Sequence, residues 1–258
     1  MYVPILGMHR SGTSCLAGIC EHAGIFFLDP SRANRFNVKG NRENLELVNL
    51  NDDLLGKRNM DWTATNPIEP SSPSAAETHA IRKFLDKNIR NAASNVIGFK
   101  DPRMTITYDF WRPELNNHWR STTEAISQNF LPVATYRNPL AVAKSLFARD
   151  RMDQKTAIAI WTNYNSKLLE ICSETQCPLV YFSQVPSLYT AEVALALNAI
   201  GQHFNLQLEP GNAIRFFSTD LNRNDSDDDF GSQLDNGTSK LLQSLHEYRW
   251  NWMRTQIK

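Results

Sequence analysis

The stretch Val3-Pro4-Ile5-Leu6-Gly7-Met8-His9-Arg10-Ser11-Gly12-Thr13-Ser14-Cys15-Leu16 decides how the chain folds. Val3 to Leu6 is a short apolar run that reads as a buried strand, and Gly7 ends it. Gly12 lies five positions on, and an apolar helical pattern begins at Thr13. Strand, glycine-bounded loop and helix in that order make the architecture of a phosphate-binding loop. Glycines let the backbone curl so that successive N–H groups point inward, while the new helix adds free N–H groups and the positive end of its dipole. Such a pocket favours an anion. The stretch departs from the nucleotide-triphosphatase pattern G-x-x-x-x-G-K-[ST], because Thr13 stands where that pattern has its Lys. The basic residue is Arg10, inside the loop, whose guanidinium can offer several donors at once. Taken alone, the stretch fits a plain strand–turn–helix corner with an incidental Arg as well as it fits an anion site.

A second stretch separates those readings. Leu131 to Arg137 reads as another strand, and Asn138-Pro139 then opens a helix, with Asn as the cap and Pro at the first helical position. Arg137 is therefore placed at a strand's C-terminal end beside a helix N-terminus. Ser145 falls two turns along, on the same face as Asn138. A magnesium-dependent P-loop enzyme would carry an acidic residue at the end of such a strand, and this chain carries an arginine. Two separated anion sites on one sheet suit a ligand with two separated anionic groups.

Gly7 to Ser14 resembles the 5′-phosphosulfate loop of sulfotransferases that use 3′-phosphoadenosine 5′-phosphosulfate (PAPS). Tyr136-Arg137-Asn138-Pro139, with Ser145 eight positions after Arg137, resembles their 3′-phosphate motif. The resemblance spans Val3 to about Phe182 and loosens in the C-terminal third. It implies a three-layer α/β domain of P-loop NTPase-like sulfotransferase type, with a central parallel sheet flanked by helices. Arg10 would then hold the 5′-phosphosulfate, with the backbone amides from Ser11 through Gly12 and Thr13 to Ser14 and the hydroxyls of Ser11, Thr13 and Ser14. Arg137 and Ser145 would hold the 3′-phosphate, and Arg223 resembles a late basic residue that reaches the same group. Lys100, in Lys100-Asp101-Pro102, ends a further strand and resembles the lysine that contacts the transferring group in tyrosylprotein sulfotransferases. No His follows that strand, unlike in the cytosolic aryl and steroid enzymes. Glu43 matches the place of the general base in bacterial relatives and in carbohydrate or protein sulfotransferases, although Asn41 stands where many relatives have an aromatic. A Glu near a helix start is also favourable through the dipole alone. His9, in the loop, is the reserve base.

The rest of the chain supports an α/β reading. Strands are expected at Val96 to Phe99 and Leu179 to Phe182 as well. Helices are expected from Gly12 to His22, from Asn41 to Leu55 with Leu45, Val48 and Leu55 in the core, and from Ser74 to Ser94. Further helices follow from Thr105 to Trp119, broken near Pro113, from Pro139 to Arg149, from Lys155 to Thr175, from Ala191 to Phe204 and from Ser239 to Arg254. Alternating strands and helices predict a parallel sheet covered on both faces, whose ligands bind at the carboxyl ends of the strands. Arg10, Lys100 and Arg137 all follow strands, so they are expected to converge on one edge. No linker divides residues 1–258, which are expected to form one domain. Trp62, in a loop rich in Pro, Ser, Thr and Asn, is either packed against the body of the fold or a wall of the acceptor pocket.

The 258 residues carry 27 basic and 27 acidic side chains, a formal net charge of zero. Broad nucleic-acid or membrane-surface binding needs a basic excess that the chain lacks. The apolar runs are too short to span a bilayer, and no signal peptide precedes the first strand, so a cytoplasmic protein without a membrane anchor is expected. Four cysteines lack zinc-ligand spacing and read as buried thiols. The expected activity is metal-independent transfer of a sulfuryl group from PAPS to a hydroxyl, on a carbohydrate or a small metabolite. Two alternatives stay open. A small-molecule P-loop kinase would read Asp101 as a magnesium ligand, and a non-catalytic nucleotide-binding protein would keep both anion sites without turnover.

Overall fold

The structure, a computed structural model, describes residues 1–31, 40–69, 72–120, 129–183, 185–217 and 234–257. In chain order its elements are β1 (Tyr2–Leu6), α1 (Thr13–His22), α2 (Leu45–Gly56), α3 (Ala75–Asn91) and β2 (Ile97–Lys100). A 3-10 turn (Pro102–Thr105), α4 (Tyr108–Arg120), β3 (Val133–Tyr136), α5 (Pro139–Asp150), α6 (Gln154–Thr175) and β4 (Leu179–Tyr181) follow. The chain then runs through α7 (Pro186–Phe204), the short α8 (Pro210–Ala213), a second 3-10 turn (Ile214–Phe216) and α9 (Asn236–Gln256).

The four strands form a parallel sheet in the order β2-β1-β3-β4. Ile5 pairs with Lys100 on one side and with Val133 on the other, and Thr135 pairs with Val180. Every residue of β1, β2 and β3 is buried, the pattern of strands covered on both faces by helices. The chain passes from β1 to β2 on one side, then crosses back past β1 to β3 and β4 on the other. The crevice outside the carboxyl ends of β1 and β3 is therefore the topological switch point, where open α/β sheets bind ligands.

Local chemistry fixes the helix starts. Asn138 accepts hydrogen bonds from the N–H groups of Leu140 and Ala141, and Pro139 occupies the first turn of α5. Ser74 and Glu77 form a reciprocal capping box on α3. The second helix begins later than its apolar pattern suggests. Asn44 caps it by accepting from the Leu47 N–H, and Arg42 takes a left-handed backbone with φ of 60°. Leu45 thus falls in the first turn and is 72% exposed, Val48 is half-buried, and Leu47, Leu54 and Leu55 form the core face. The helix expected from Thr105 is a 3-10 turn followed by α4, which contains Pro113. Asp101 and Pro102 start that turn, because the Asp101 carboxylate accepts from the Arg103 N–H. Pro186 and Asp235 start α7 and α9 a few residues before the expected positions.

Candidate active site at the carboxyl edge of the sheet

The loop after β1 is bent by three positive φ angles: 142° at Gly7, 68° at Arg10 and 85° at Gly12. Glycine is required at the two ends for different reasons. A Cβ on Gly7 would lie 2.3 Å from the Thr135 carbonyl oxygen, and one on Gly12 would lie 2.3 Å from the Phe182 ring. The loop is tied to its neighbours by the Gly7 N–H donating to Thr105 Oγ1 at 2.8 Å and by Thr135 Oγ1 donating to the Ser11 carbonyl at 3.1 Å. Gly12 offers no side-chain cap to α1, and α1 has no acidic residue in its first turn. The helix itself therefore supplies no negative side chain at its positive end.

Two clusters flank this loop. In the first, Arg10 Nε donates to Ser145 Oγ at 2.8 Å, and Arg137 Nη1 lies 3.5 Å from the Arg10 carbonyl oxygen. The Arg137 guanidinium also lies 5.4 Å from the centre of the Phe182 ring, while its carbonyl accepts from Trp161 Nε1 at 2.9 Å. The end of β3 is thereby fixed, and its side chain is turned towards the loop. Burial, followed by the charges of Arg149 and Arg137, pulls the pKa of Arg10 below its ordinary value. Like charges collected in a partly buried site favour a bound anion. Arg149 is not singled out by the sequence. It lies one helical turn beyond Ser145, so the spacing Ser145-x-x-x-Arg149 on the face of α5 that carries Ser145 is the signal that could have found it.

In the second cluster, Lys100 Nζ donates to Glu43 Oε1 at 2.6 Å and to Ser14 Oγ at 3.3 Å. The Lys100 side chain is 2% exposed and that of Glu43 19%. Lys100 is the last residue of β2, and Glu43 immediately precedes the cap of α2. Ser14, in the first turn of α1, links this pair to the loop that carries Arg10. The structure thus brings Arg10, Arg137 and Ser145 together on one side and Lys100, Ser14 and Glu43 together on the other, with Ser11, Gly12 and Thr13 between them. Ser11 Oγ is buried and has no hydrogen-bond partner among the described residues. An orphaned hydroxyl inside a cationic loop fits an anionic ligand that would complete it. Arg223 lies outside the described residues.

The neighbours define what the site can do. His9 is packed against Trp62, with ring centres 4.8 Å apart, and against Tyr164. Burial first, then the charges of Arg103, Lys100, Arg149 and Arg10, hold its imidazole well below its usual pKa, so it is neutral and a weak base. Trp62 also carries the Arg149 guanidinium 5.2 Å from its ring centre, and its carbonyl accepts from Tyr164 Oη at 3.0 Å. It packs against the loop and α6. Asp101 is fully buried, and burial pushes its carboxyl up to about 6 against the pull of Arg103. Its Oδ2 accepts from Asn51 Nδ2 at 2.9 Å and its Oδ1 from Arg103 Nη1 at 2.9 Å, so both oxygens are engaged within the fold. Among the described residues there is no group of three or more His, Cys, Asp or Glu that could hold a metal ion. None of the four cysteines is in a disulfide. Among the described residues no helix is long and apolar enough to cross a membrane.

No family model matches the chain, and no curated protein matches it. Among solved structures, the chain is similar to the sulfotransferase domain from the Synechococcus PCC 7002 olefin synthase. The two are 18% identical, with a TM-score of 0.47, over 100% of this chain and 94% of that one.

Proposed function

We propose that the protein is a sulfotransferase that moves a sulfuryl group from PAPS to a hydroxyl acceptor. The observation that carries the reading is an arginine cluster and a buried lysine–carboxylate pair joined by one glycine-bounded loop. Arg10, Arg137 and Ser145 lie at one end and Lys100 with Glu43 at the other. The donor set fits a co-substrate with a 3′-phosphate and a 5′-phosphosulfate, and the Ser11 hydroxyl, buried and without a hydrogen-bond partner among the described residues, is one more donor within the loop.

When bound, PAPS supplies a sulfur whose bond to the 5′-phosphate oxygen breaks as the acceptor oxygen bonds to it. Arg137 and Ser145 hold the 3′-phosphate through charge-assisted hydrogen bonds. The loop amides and the hydroxyls of Ser11, Thr13 and Ser14 hold the 5′ end, with Lys100 supplying positive charge where negative charge grows on the departing oxygen. Arg10, which donates to Ser145, adds its charge from the 3′-phosphate side of the loop. Glu43 takes the acceptor's proton. Glu43 is paired with Lys100 at 2.6 Å, so engaging Lys100 elsewhere releases the carboxylate that acts as base. Fixed cations do the work that a metal does in phosphoryl transfer. A magnesium-ATP kinase is disfavoured by Thr13 at the lysine position of the loop, by Arg137 at the strand end and by the engagement of both Asp101 oxygens.

Calorimetric titration with adenosine 3′,5′-bisphosphate, without magnesium, tests the reading, with magnesium-ATP as the control. Clear binding of the bisphosphate is expected. Equal or tighter binding of magnesium-ATP would favour the kinase. Binding of PAPS with no transfer to any hydroxyl acceptor would favour a non-catalytic protein.

A further inference from the structure

Asn51 lies two turns into α2 and is fully buried. A buried amide must satisfy its polar atoms inside the protein. Its Nδ2 donates to Asp101 Oδ2 at 2.9 Å, while its Oδ1 accepts from Thr107 Oγ1 at 2.7 Å and from Trp111 Nε1 at 2.8 Å. The next residue, Asp52, forms an ion pair with Arg103, its Oδ1 2.6 Å from Nε but outside hydrogen-bond geometry, and Arg103 in turn donates to Asp101. Two adjacent residues of α2 therefore grip the segment that directly follows Lys100. At the other end of α2, Glu43 is held through its backbone: its N–H donates to Ser31 Oγ at 3.1 Å and its carbonyl accepts from the Ser31 N–H at 2.8 Å.

We propose that Asn51 is a positioning residue: through Asp101 it sets where α2 lies against the end of β2, and so holds Glu43 within reach of Lys100. The inference rests on the sulfotransferase reading for its catalytic consequence, though the geometric claim stands apart from it. Lys100 is fixed by β2, whose register places it opposite Ile5. Glu43 is joined to α2 through the cap residue Asn44. The 2.6 Å between them depends on the seating of a helix against a strand end, and the Asn51–Asp101 contact bonds α2 to the residue that directly follows β2. The hub keeps a carboxylate in a fully buried site at the expense of its hydration. A well-packed apolar contact would hold the helix without that cost, whereas directional bonds also fix its rotation and register. Such registration matters at a reacting centre, where a misplacement of about 1 Å costs on the order of a hundredfold in rate.

The test exchanges donor and acceptor. Asn51→Asp alone faces two carboxylates across the contact. Asn51→Asp with Asp101→Asn restores one donor and one acceptor with their direction reversed. Access of Lys100 is read by its rate of acetylation with acetic anhydride, mapped by mass spectrometry, with Lys144 as the reference. At a temperature where every variant is folded, Asn51→Asp is expected to raise Lys100 acetylation at least threefold. Its affinity for adenosine 3′,5′-bisphosphate should stay within about twofold, and the paired exchange should return Lys100 to the wild-type rate. Release of the bisphosphate from PAPS, with any acceptor that supports turnover, should fall by about tenfold to a hundredfold in Asn51→Asp and recover in the exchange. Should Asn51→Asp not fold, Asp52→Ala at the half-exposed end of the clamp serves instead, with about a twofold rise in Lys100 acetylation expected. Unchanged Lys100 acetylation in a folded clamp variant would overturn the proposal. Wild-type protein that ignores adenosine 3′,5′-bisphosphate while Lys100 still responds to the clamp would overturn the sulfotransferase reading alone.

Discussion

Lys100 and Glu43 are a buried cation and its partner at a strand end, and each carries its own prediction. Lys100→Ala should lower turnover of PAPS by about a hundredfold to a thousandfold, the usual effect of removing a donor aimed at developing charge. Glu43→Gln keeps the shape and removes the base, so the loss should be about a hundredfold to ten-thousandfold, with bisphosphate affinity little changed. Initial rates alongside calorimetry separate the two effects, and Glu43→Gln with wild-type turnover would remove Glu43 from the mechanism. Gly7 makes a prediction about stability instead. Alanine there combines a φ of 142° with a Cβ 2.3 Å from the Thr135 carbonyl oxygen. Gly7→Ala should therefore destabilise the fold by more than about 1 kcal/mol in denaturant melts.

At the scale of elements, most starts were legible where a cap or a proline lies next to an apolar pattern. Asn138-Pro139 announces α5 because the side chain that closes the helix is adjacent in sequence to the residues it bonds. Glycines 7 and 12 announce the first turn for the same local reason. The start of α2 was less legible. Leu45 continues the apolar pattern, yet the cap is Asn44 and the leucine faces solvent. Asn51 was illegible as a hub, because its partners Asp101, Thr107 and Trp111 are far away in sequence. An asparagine in a helical pattern otherwise reads as an exposed polar residue. Between α2 and α3, Glu77 accepts from Arg58 and from the Ser74 N–H. Its hydrogen bond from Arg58, above the other causes, lowers its pKa from 4.5 to about 2. A carboxylate with a depressed folded pKa contributes stability that is fully present above its ordinary pKa and lost as pH falls towards the folded value. The stability difference between wild type and Glu77→Gln should thus be constant above about pH 5 and shrink between about pH 5 and pH 2. Urea titrations across that range would show it, and a difference independent of pH would contradict the pairing.

Over the whole molecule, a formal charge of zero conceals local imbalance. The order β2-β1-β3-β4 brings three strand ends together, and with them Arg10, Lys100 and Arg137. This convergence was legible because a parallel sheet has one carboxyl edge, and any residue that follows a strand must lie on it. The direct bond between Arg10 and Ser145 was not, since it depends on the left-handed backbone at Arg10 and on the seating of α5. The central claim is that the cluster around Arg137 recognises a phosphate on the ribose 3′ position. It is tested most directly by the affinity ratio of adenosine 3′,5′-bisphosphate to adenosine 5′-monophosphate, measured by calorimetry in wild type and in Arg137→Ala. A charge-assisted contact contributes about 1.5–3 kcal/mol, so the ratio should exceed about tenfold in wild type and fall by at least about that factor in the variant. A ratio near one in wild type, or one that Arg137→Ala leaves unchanged, would contradict the account.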